Sequence, residues 1–358
     1  MQPARTDSRR PDPAPVASGY SLIVRDLHVH LRSRHGTVHA VNGISFAVKP
    51  GEILGIVGES GSGKSVAMLA VMGFFDREAA RLISGSVTVG GTEWRELAAP
   101  DPWSSRSPEL AIIFQDAVSS LNPVLTVGSQ MTDTLMARQP KSGGGMPRPA
   151  ARRRAAELLD LVRIPDAARC LDLYPHQLSG GMCQRVMIAM AISADPSVLI
   201  ADEPTTALDV TVQSQILDVL LEIRQRTGMS IVMISHDFGV IARVADRVQV
   251  MYAGRIVERG GVDDIFSRPQ HPYTRALLAC SPRIDRGEQA SQIIPGAPPD
   301  MRLAFAGCPF AARCAEVMGV CRRDEPALRP VGSGAVLERH AASCWLPRIA
   351  DAGNGDGR

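Results

Sequence analysis

The chain has 358 residues, a net charge of +2 and seven cysteines. That length holds one large domain with an appendage, and the near-balance of charge leaves no basic footprint for nucleic acid as a principal ligand. No stretch approaches ~18 uninterrupted apolar residues, so the chain is not expected to span a membrane by itself.

Met1 to Gly19 is rich in Pro and Arg and lacks an apolar h-region, which argues against a signal peptide and for a disordered leader over 1–19. Leu22 to Val29 alternates apolar and polar residues, and Val38 to Val48 is largely apolar or β-branched. Both read as strands, and Gly85 to Gly91 adds a strand running into a tight turn; together they predict an antiparallel subdomain. Ile53 to Val57 reads as a buried strand and Val66 to Phe75 as a helix. Gln139 to Pro149 carries three glycines in a row and several prolines and is expected to be a flexible surface loop. Ala150 to Ile164 has helical spacing, with Leu158, Leu159 and Val162 on one face. Its Arg152 to Arg154 run is a solvated face, since no aromatic residues interleave it. The stripe Met182, Met187, Met190 is core packing of another helix. Val210 to Arg226 is helical with Gly228 as its stop, and Ile231 to Ile234 is a short buried strand. Alternation of strand and helix from Ile53 to Val250 predicts an α/β fold, a mainly parallel sheet covered on both faces.

Between the strand and helix of 53–75 stands Gly58-Glu59-Ser60-Gly61-Ser62-Gly63-Lys64-Ser65, with Val66 opening the helix. Glycines let successive N–H groups point inward at phosphate oxygens, and the following helix adds its positive end. Lys64 can reach the β- and γ-phosphates and the Ser65 hydroxyl can ligate Mg²⁺. Val198 to Ala201 ends in Asp202 and Glu203 before Pro204, a carboxylate pair suited to holding Mg²⁺ and activating water. Ser179 is a fit N-cap for an apolar helix opening at Gly180 and Gly181, and the exposed amides there suit an anion.

These strings, in this order with Gln115 after Ala111–Phe114, Leu178-Ser179-Gly180-Gly181-Met182, Asp209 after Ala207-Leu208, and Ile234-Ser235-His236-Asp237, resemble the nucleotide-binding domain of ABC transporters over most of 22–282. The resemblance implies a P-loop NTPase fold with a parallel core, an antiparallel β subdomain and a helical signature subdomain. It assigns Glu203 as general base, His236 to the γ-phosphate and attacking water, Asp202 with Ser65 and Gln115 to Mg²⁺, and Ser179, Gly180, Gly181 and Met182 to ATP held by an opposing subunit. Asp209 falls in the D-loop. Met182 stands where the signature commonly has Gln. Adenine usually stacks on an aromatic residue after the first strand, and counting back from Gly51 places His35 there. Rival readings are a soluble ABC ATPase acting on DNA or ribosomes, which would bring a long coiled coil or a second ATPase domain, and a non-catalytic scaffold, which intact Lys64, Asp202, Glu203 and His236 oppose.

Ser119-Ser120-Leu121-Asn122-Pro123, His271-Pro272-Tyr273-Thr274, Ile294-Pro295-Gly296-Ala297-Pro298-Pro299 and the C-terminal run from Gly307-Cys308 to Cys344-Trp345 resemble the ATP-binding subunits of oligopeptide, dipeptide and nickel importers. This implies an ABC domain over 20–282, a small C-terminal domain over 283–348 and a flexible tail over 349–358. It also implies a peripheral subunit on the cytoplasmic face of the membrane, with a second ABC ATPase, two permease subunits and an extracytoplasmic substrate-binding protein as partners. The solute is expected to be a peptide, with nickel, glutathione and other small solutes open. Cys308, Cys314, Cys321 and Cys344 follow C-x5-C-x6-C-x22-C, and in part of the branch four such cysteines hold a [4Fe–4S] cluster. Tetrahedral zinc, with His340 as a substitute ligand, and unmetallated thiols stay open beside it. Cys170, Cys183 and Cys280 are expected to be structural, and nucleotide binding is expected to be independent of the C-terminal domain.

Overall fold

Two sheets position everything else in the computed structural model, which describes residues 19–75, 80–96, 107–137, 146–206, 208–280, 294–303, 305–331 and 339–346. The expected leader up to residue 18, residues 139–145 of the Gln139–Pro149 loop and the 349–358 tail lie outside the described residues. Strands β1 (Leu22–Ser33), β2 (Gly36–Val48), β4 (Ala80–Val89) and β5 (Thr92–Glu96) form an antiparallel sheet in the order β2-β1-β4-β5. The larger sheet contains β3 (Ile53–Val57), β6 (Leu110–Ile113), β7 (Val198–Asp202), β8 (Ser230–Ser235), β9 (Arg247–Tyr252), β10 (Arg255–Gly261), β11 (Arg329–Pro330) and β12 (Ala341–Ala342). Its order is β11-β12-β10-β9-β3-β8-β7-β6. The run from β9 to β6 is parallel, and the β10, β11 and β12 pairings are antiparallel.

The parallel strands are apolar throughout because both of their faces are covered. Ile53 and Val57 of β3 enter one core while Leu54 and Ile56, pointing the other way, enter the second. The second core is closed by the antiparallel sheet and α1 (Lys64–Met72). The first is closed by α2 (Ala117–Ser120), α3 (Val127–Ala137), α4 (Arg148–Leu161), α5 (Ala167–Cys170), α6 (Gly180–Ile192), α7 (Val210–Thr227) and α8 (Phe238–Val244), followed by α9 (Val262–Ser267) and α10 (Pro272–Cys280).

Helix α4 begins at Arg148, inside the stretch read as loop, because Pro149 lies in the first turn, where its missing N–H costs nothing. Helix α7 stops as expected: Gly228 takes the left-handed conformation and donates its N–H to the Arg224 carbonyl. Met187 is buried, and Met182 and Met190 pack against the same core.

The C-terminal segment packs against the larger sheet and its core. β12 pairs with β10, β11 pairs with β12, and Ile294 and Phe310 lie in the first core. Truncating a buried aromatic such as Phe310 costs ~3–5 kcal/mol in comparable cores, so this attachment is a substantial part of the fold.

Candidate functional site

A parallel sheet delivers its strand ends to one edge, and here the ends of β3, β6, β7 and β8 carry the candidate residues. The loop after β3 is shaped by glycine. Gly63 has φ +99°, and a Cβ there would come within 2.2 Å of the Ala40 carbonyl on β2, so a side chain is excluded on both counts. Lys64, 5% exposed, curls over the loop and donates to the carbonyls of Gly58 (2.8 Å) and Glu59 (3.0 Å) and to Ser62 Oγ (3.4 Å). Burial lowers its pKa, opposed by the carboxylates of Glu203, Asp202 and Glu59. Ser60 and Gly61 are exposed, and Ser65 and Val66 are half-buried in the first turn of α1.

Ser65 Oγ donates to Asp202 Oδ1 at 3.0 Å across 137 residues of sequence. Asp202 is 7% exposed, and burial is the main cause of its raised pKa; the Ser65 hydroxyl opposes that shift and Glu203 adds to it. A buried carboxylate beside a hydroxyl is a hard oxygen pair whose charge a divalent cation would offset, which fits Mg²⁺.

Glu203 has φ +47°, a left-handed conformation that non-glycine residues adopt at a cost, and its N–H is tied to the Ile234 carbonyl at 3.0 Å. Its Oε2 accepts from Gln115 Nε2 and from Thr206 Oγ1, both at 2.8 Å, and its Oε1 lies 3.2 Å from His236 Nδ1. Gln115, Glu203 and His236 are thus brought together. Thr206 was not singled out; its signal was a hydroxyl three residues after the carboxylate, in the turn that follows the strand.

Other candidates sit apart. Ser179 caps α6 by accepting from Met182 N–H at 3.3 Å; Ser179 and Gly180 are exposed, and Gly181 and Met182 are partly so. Asp209 caps α7 through Val212 N–H at 2.9 Å. His35 occupies the exposed turn between β1 and β2, roughly 16 Å of extended strand from the Ala40 carbonyl that packs on Gly63.

Glu59 also differs from a simple phosphate contact. Its N–H donates to Tyr273 Oη at 2.8 Å, and its carboxylate is held by Arg313. Neither partner was assigned to the nucleotide site from sequence, although both stand in motifs that marked the C-terminal branch.

Cys308, Cys314, Cys321 and Cys344 line one pocket with His271, Phe310 and Trp345. Burial pushes the Cys308 thiol up to about 11 and raises Cys314 and Cys344, while backbone amides of Phe310, Glu316 and Leu346 address the three sulfurs. Among the described residues no group of three or more His, Cys, Asp or Glu side chains is gathered into a metal-ion site. His340, the substitute ligand considered for zinc, is instead buried against Glu258, Nε2 to Oε1 at 2.9 Å. Cys170 and Cys183 are buried with raised pKa values, as structural thiols are. No helix among the described residues is long and apolar enough to cross a membrane.

Comparison with known proteins matches this geometry. The ABC transporter family model covers residues 41–206, and the oligopeptide/dipeptide transporter C-terminal region covers 257–321. The chain is 45% identical over 325 residues to the dipeptide transport ATP-binding protein DppD of Bacillus subtilis, covering 91% of this chain and 94% of that one. It is 48% identical over 324 residues to the oligopeptide transport ATP-binding protein OppD of Mycobacterium tuberculosis, covering 90% of this chain and 51% of that one. Among solved structures it resembles a dimeric ATP-binding cassette in a post-hydrolysis state bound to ADP and Pi, at TM-score 0.57 and 26% identity over 67% of this chain and 98% of the other.

Proposed function

The chain belongs to the ATP-binding subunits of ABC peptide transporters, and from that premise we propose that it binds and hydrolyses ATP to energise uptake of di- or oligopeptides through separate permease subunits. The observation that carries the reading is the convergence of Lys64, Ser65, Gln115, Asp202, Glu203 and His236 on one sheet edge. Lys64 and the loop amides bind the phosphates. Ser65 and Asp202, with Gln115, would hold Mg²⁺, which would neutralise phosphate charge when bound. Glu203 takes the proton of the attacking water, and Gln115, Thr206 and His236 fix where its carboxylate points.

Ser179, Gly180, Gly181 and Met182 offer the end of α6 to ATP on an opposing subunit, and a second, related ABC ATPase is the partner we infer, with a homodimer as the alternative outcome. Exposed Phe114, Val118, Val124 and Leu125 surround Ser119–Pro123 and form an apolar face suited to a permease at the cytoplasmic side of the membrane. An extracytoplasmic substrate-binding protein completes the importer. For the four clustered cysteines we propose a [4Fe–4S] cluster: four thiols on one pocket with amides aimed at three of the sulfurs suit it. Tetrahedral zinc on the same four thiols is the alternative outcome.

The test is transport by the assembled complex in proteoliposomes. ATP-dependent accumulation of a labelled dipeptide or oligopeptide, lost with Lys64→Ala, is the expected result. ATP hydrolysis with no peptide uptake would move the solute to nickel, glutathione or another small molecule. A complex that binds no ATP would overturn the reading itself.

A further inference from the structure

Glu59 places a carboxylate inside the loop that must accept a polyanion, and the structure shows where that charge goes. Arg313, 254 residues away and 4% exposed at its side chain, grips both Glu59 oxygens, Nη1 to Oε2 at 2.6 Å and Nη2 to Oε1 at 2.9 Å. Such a planar two-point fork is the strongest pairing a carboxylate makes with a side chain. The remaining Arg313 donors are also used: Nε to the Pro295 carbonyl (3.0 Å), Nη2 to the Ile294 carbonyl (3.3 Å) and Nη1 to Tyr252 Oη (3.3 Å). Tyr252, Tyr273 and Phe310 pack ring against ring beside this pair, at centroid distances of 4.5–5.3 Å, so that the guanidinium is buried while Glu59 stays partly exposed. Tyr273 simultaneously receives the Glu59 N–H.

Resting on the reading that this loop binds ATP, we propose that Arg313 is a positioning residue for nucleotide binding: it cancels the Glu59 charge beside the phosphate cradle and, with Tyr273, fixes the shape of the loop from the C-terminal segment. Lys64 already faces the carboxylates of Asp202 and Glu203. A third carboxylate left without a cation would oppose the incoming phosphates. Nucleotide affinity is then a property of the whole chain, and the C-terminal segment is part of the ATP site rather than an ornament on it.

Binding of Mg·ATP to the full chain, measured by calorimetry, tests this, with the melting temperature recorded for every variant. Arg313→Gln is expected to raise Kd about tenfold or more, corresponding to roughly 1.4 kcal/mol. Adding Glu59→Gln to Arg313→Gln removes the stranded charge and should return at least about half of that loss on the free-energy scale. Added salt should narrow the gap between wild type and Arg313→Gln, because the defect is one of charge. Turnover at saturating ATP should fall less than ATP affinity does, since the residue touches no reacting atom. Arg313→Lys, which keeps the charge without the fork, should lie between the two and guards against misfolding of the glutamine variant. Folded Arg313→Gln with unchanged affinity would overturn the proposal, as would a double variant no better than the single one. Wild-type protein that binds no ATP would overturn the ATP reading and this inference with it, an outcome visible before any variant is made.

Discussion

Gln115 donates from Nε2 to Glu203 Oε2 at 2.8 Å, joining the end of β6 to the carboxylate after β7. Gln115 is also the residue from which the chain runs into α2 and the exposed Val118–Leu125 face. One side chain thus connects that exposed face to the Glu203 carboxylate.

Glu203→Gln should leave ATP binding nearly intact while hydrolysis by the assembled transporter falls at least a hundredfold, about 3 kcal/mol at the barrier. The substitution keeps the size of the side chain and an oxygen that can accept from Thr206, so the loss isolates the base. Phosphate release and nucleotide binding are measured on the same preparation. A drop of less than about threefold would show that another group activates water.

Ser179→Ala should separate binding from assembly. The serine caps α6 through Met182 N–H, so its loss costs ~1 kcal/mol of stability in the helical subdomain. ATP affinity of the isolated chain should be unchanged, because the bonds of Ser179 stay within its own helix. ATP-dependent association with the partner ATPase, followed by light scattering, should weaken severalfold. Unchanged association would exclude Ser179 from the opposing site.

The phosphate loop, the carboxylates ending β7 and His236 after β8 were legible because each is a local pattern: an apolar run, then a polar residue at the strand end. Their meeting also followed, since a parallel sheet sends all such ends to one edge. His35 was reached by counting back from Gly51, and it stands in the exposed turn at 34–35 between β1 and β2, away from the strand-end pattern that marks the other candidates. Tyr273 was quoted for its motif and Arg313 lies within the cysteine-bearing C-terminal run, yet nothing in their spacing announces Glu59, hundreds of residues earlier. Long-range pairs of that sort are set by how segments pack, which a single sequence does not encode in any local period.

Acid should loosen the hook that carries the C-terminal segment. His271 is fully buried, accepts Tyr273 N–H at Nδ1, and has its pKa lowered to about 4 by burial, with Glu258 pulling the other way and Arg275 adding to the shift. Its neutral form is favoured in the folded state, so the stability it contributes is complete above about pH 6.5 and is lost as pH falls toward 4, with a ceiling of roughly 3 kcal/mol. Urea unfolding at several pH values should show that decline for wild type and a shallower one for His271→Gln. Parallel curves would remove His271 as the cause.

The last prediction concerns Cys314, which follows Arg313 in sequence and faces the four-cysteine pocket. Anaerobically purified protein is expected to be brown, with about four irons per chain. Cys314→Ser should bleach it and expose residues 305–321 and 339–346 to hydrogen exchange. The sequence alone led to the expectation that nucleotide binding would survive this change, because the cysteines were assigned to a separate domain. Instead the neighbouring Arg313 holds Glu59 with both Nη groups and Ile294 and Pro295 through their carbonyls. Loosening the pocket should therefore weaken Mg·ATP binding by about threefold or more, less than Arg313→Gln does because the guanidinium is still present. Iron content, exchange and calorimetry on one preparation separate the alternatives. One zinc and no iron would replace the cluster by a single ion; neither metal would leave four packed thiols. Undiminished ATP affinity in a bleached, loosened variant would show that the Arg313 fork holds without the pocket behind it.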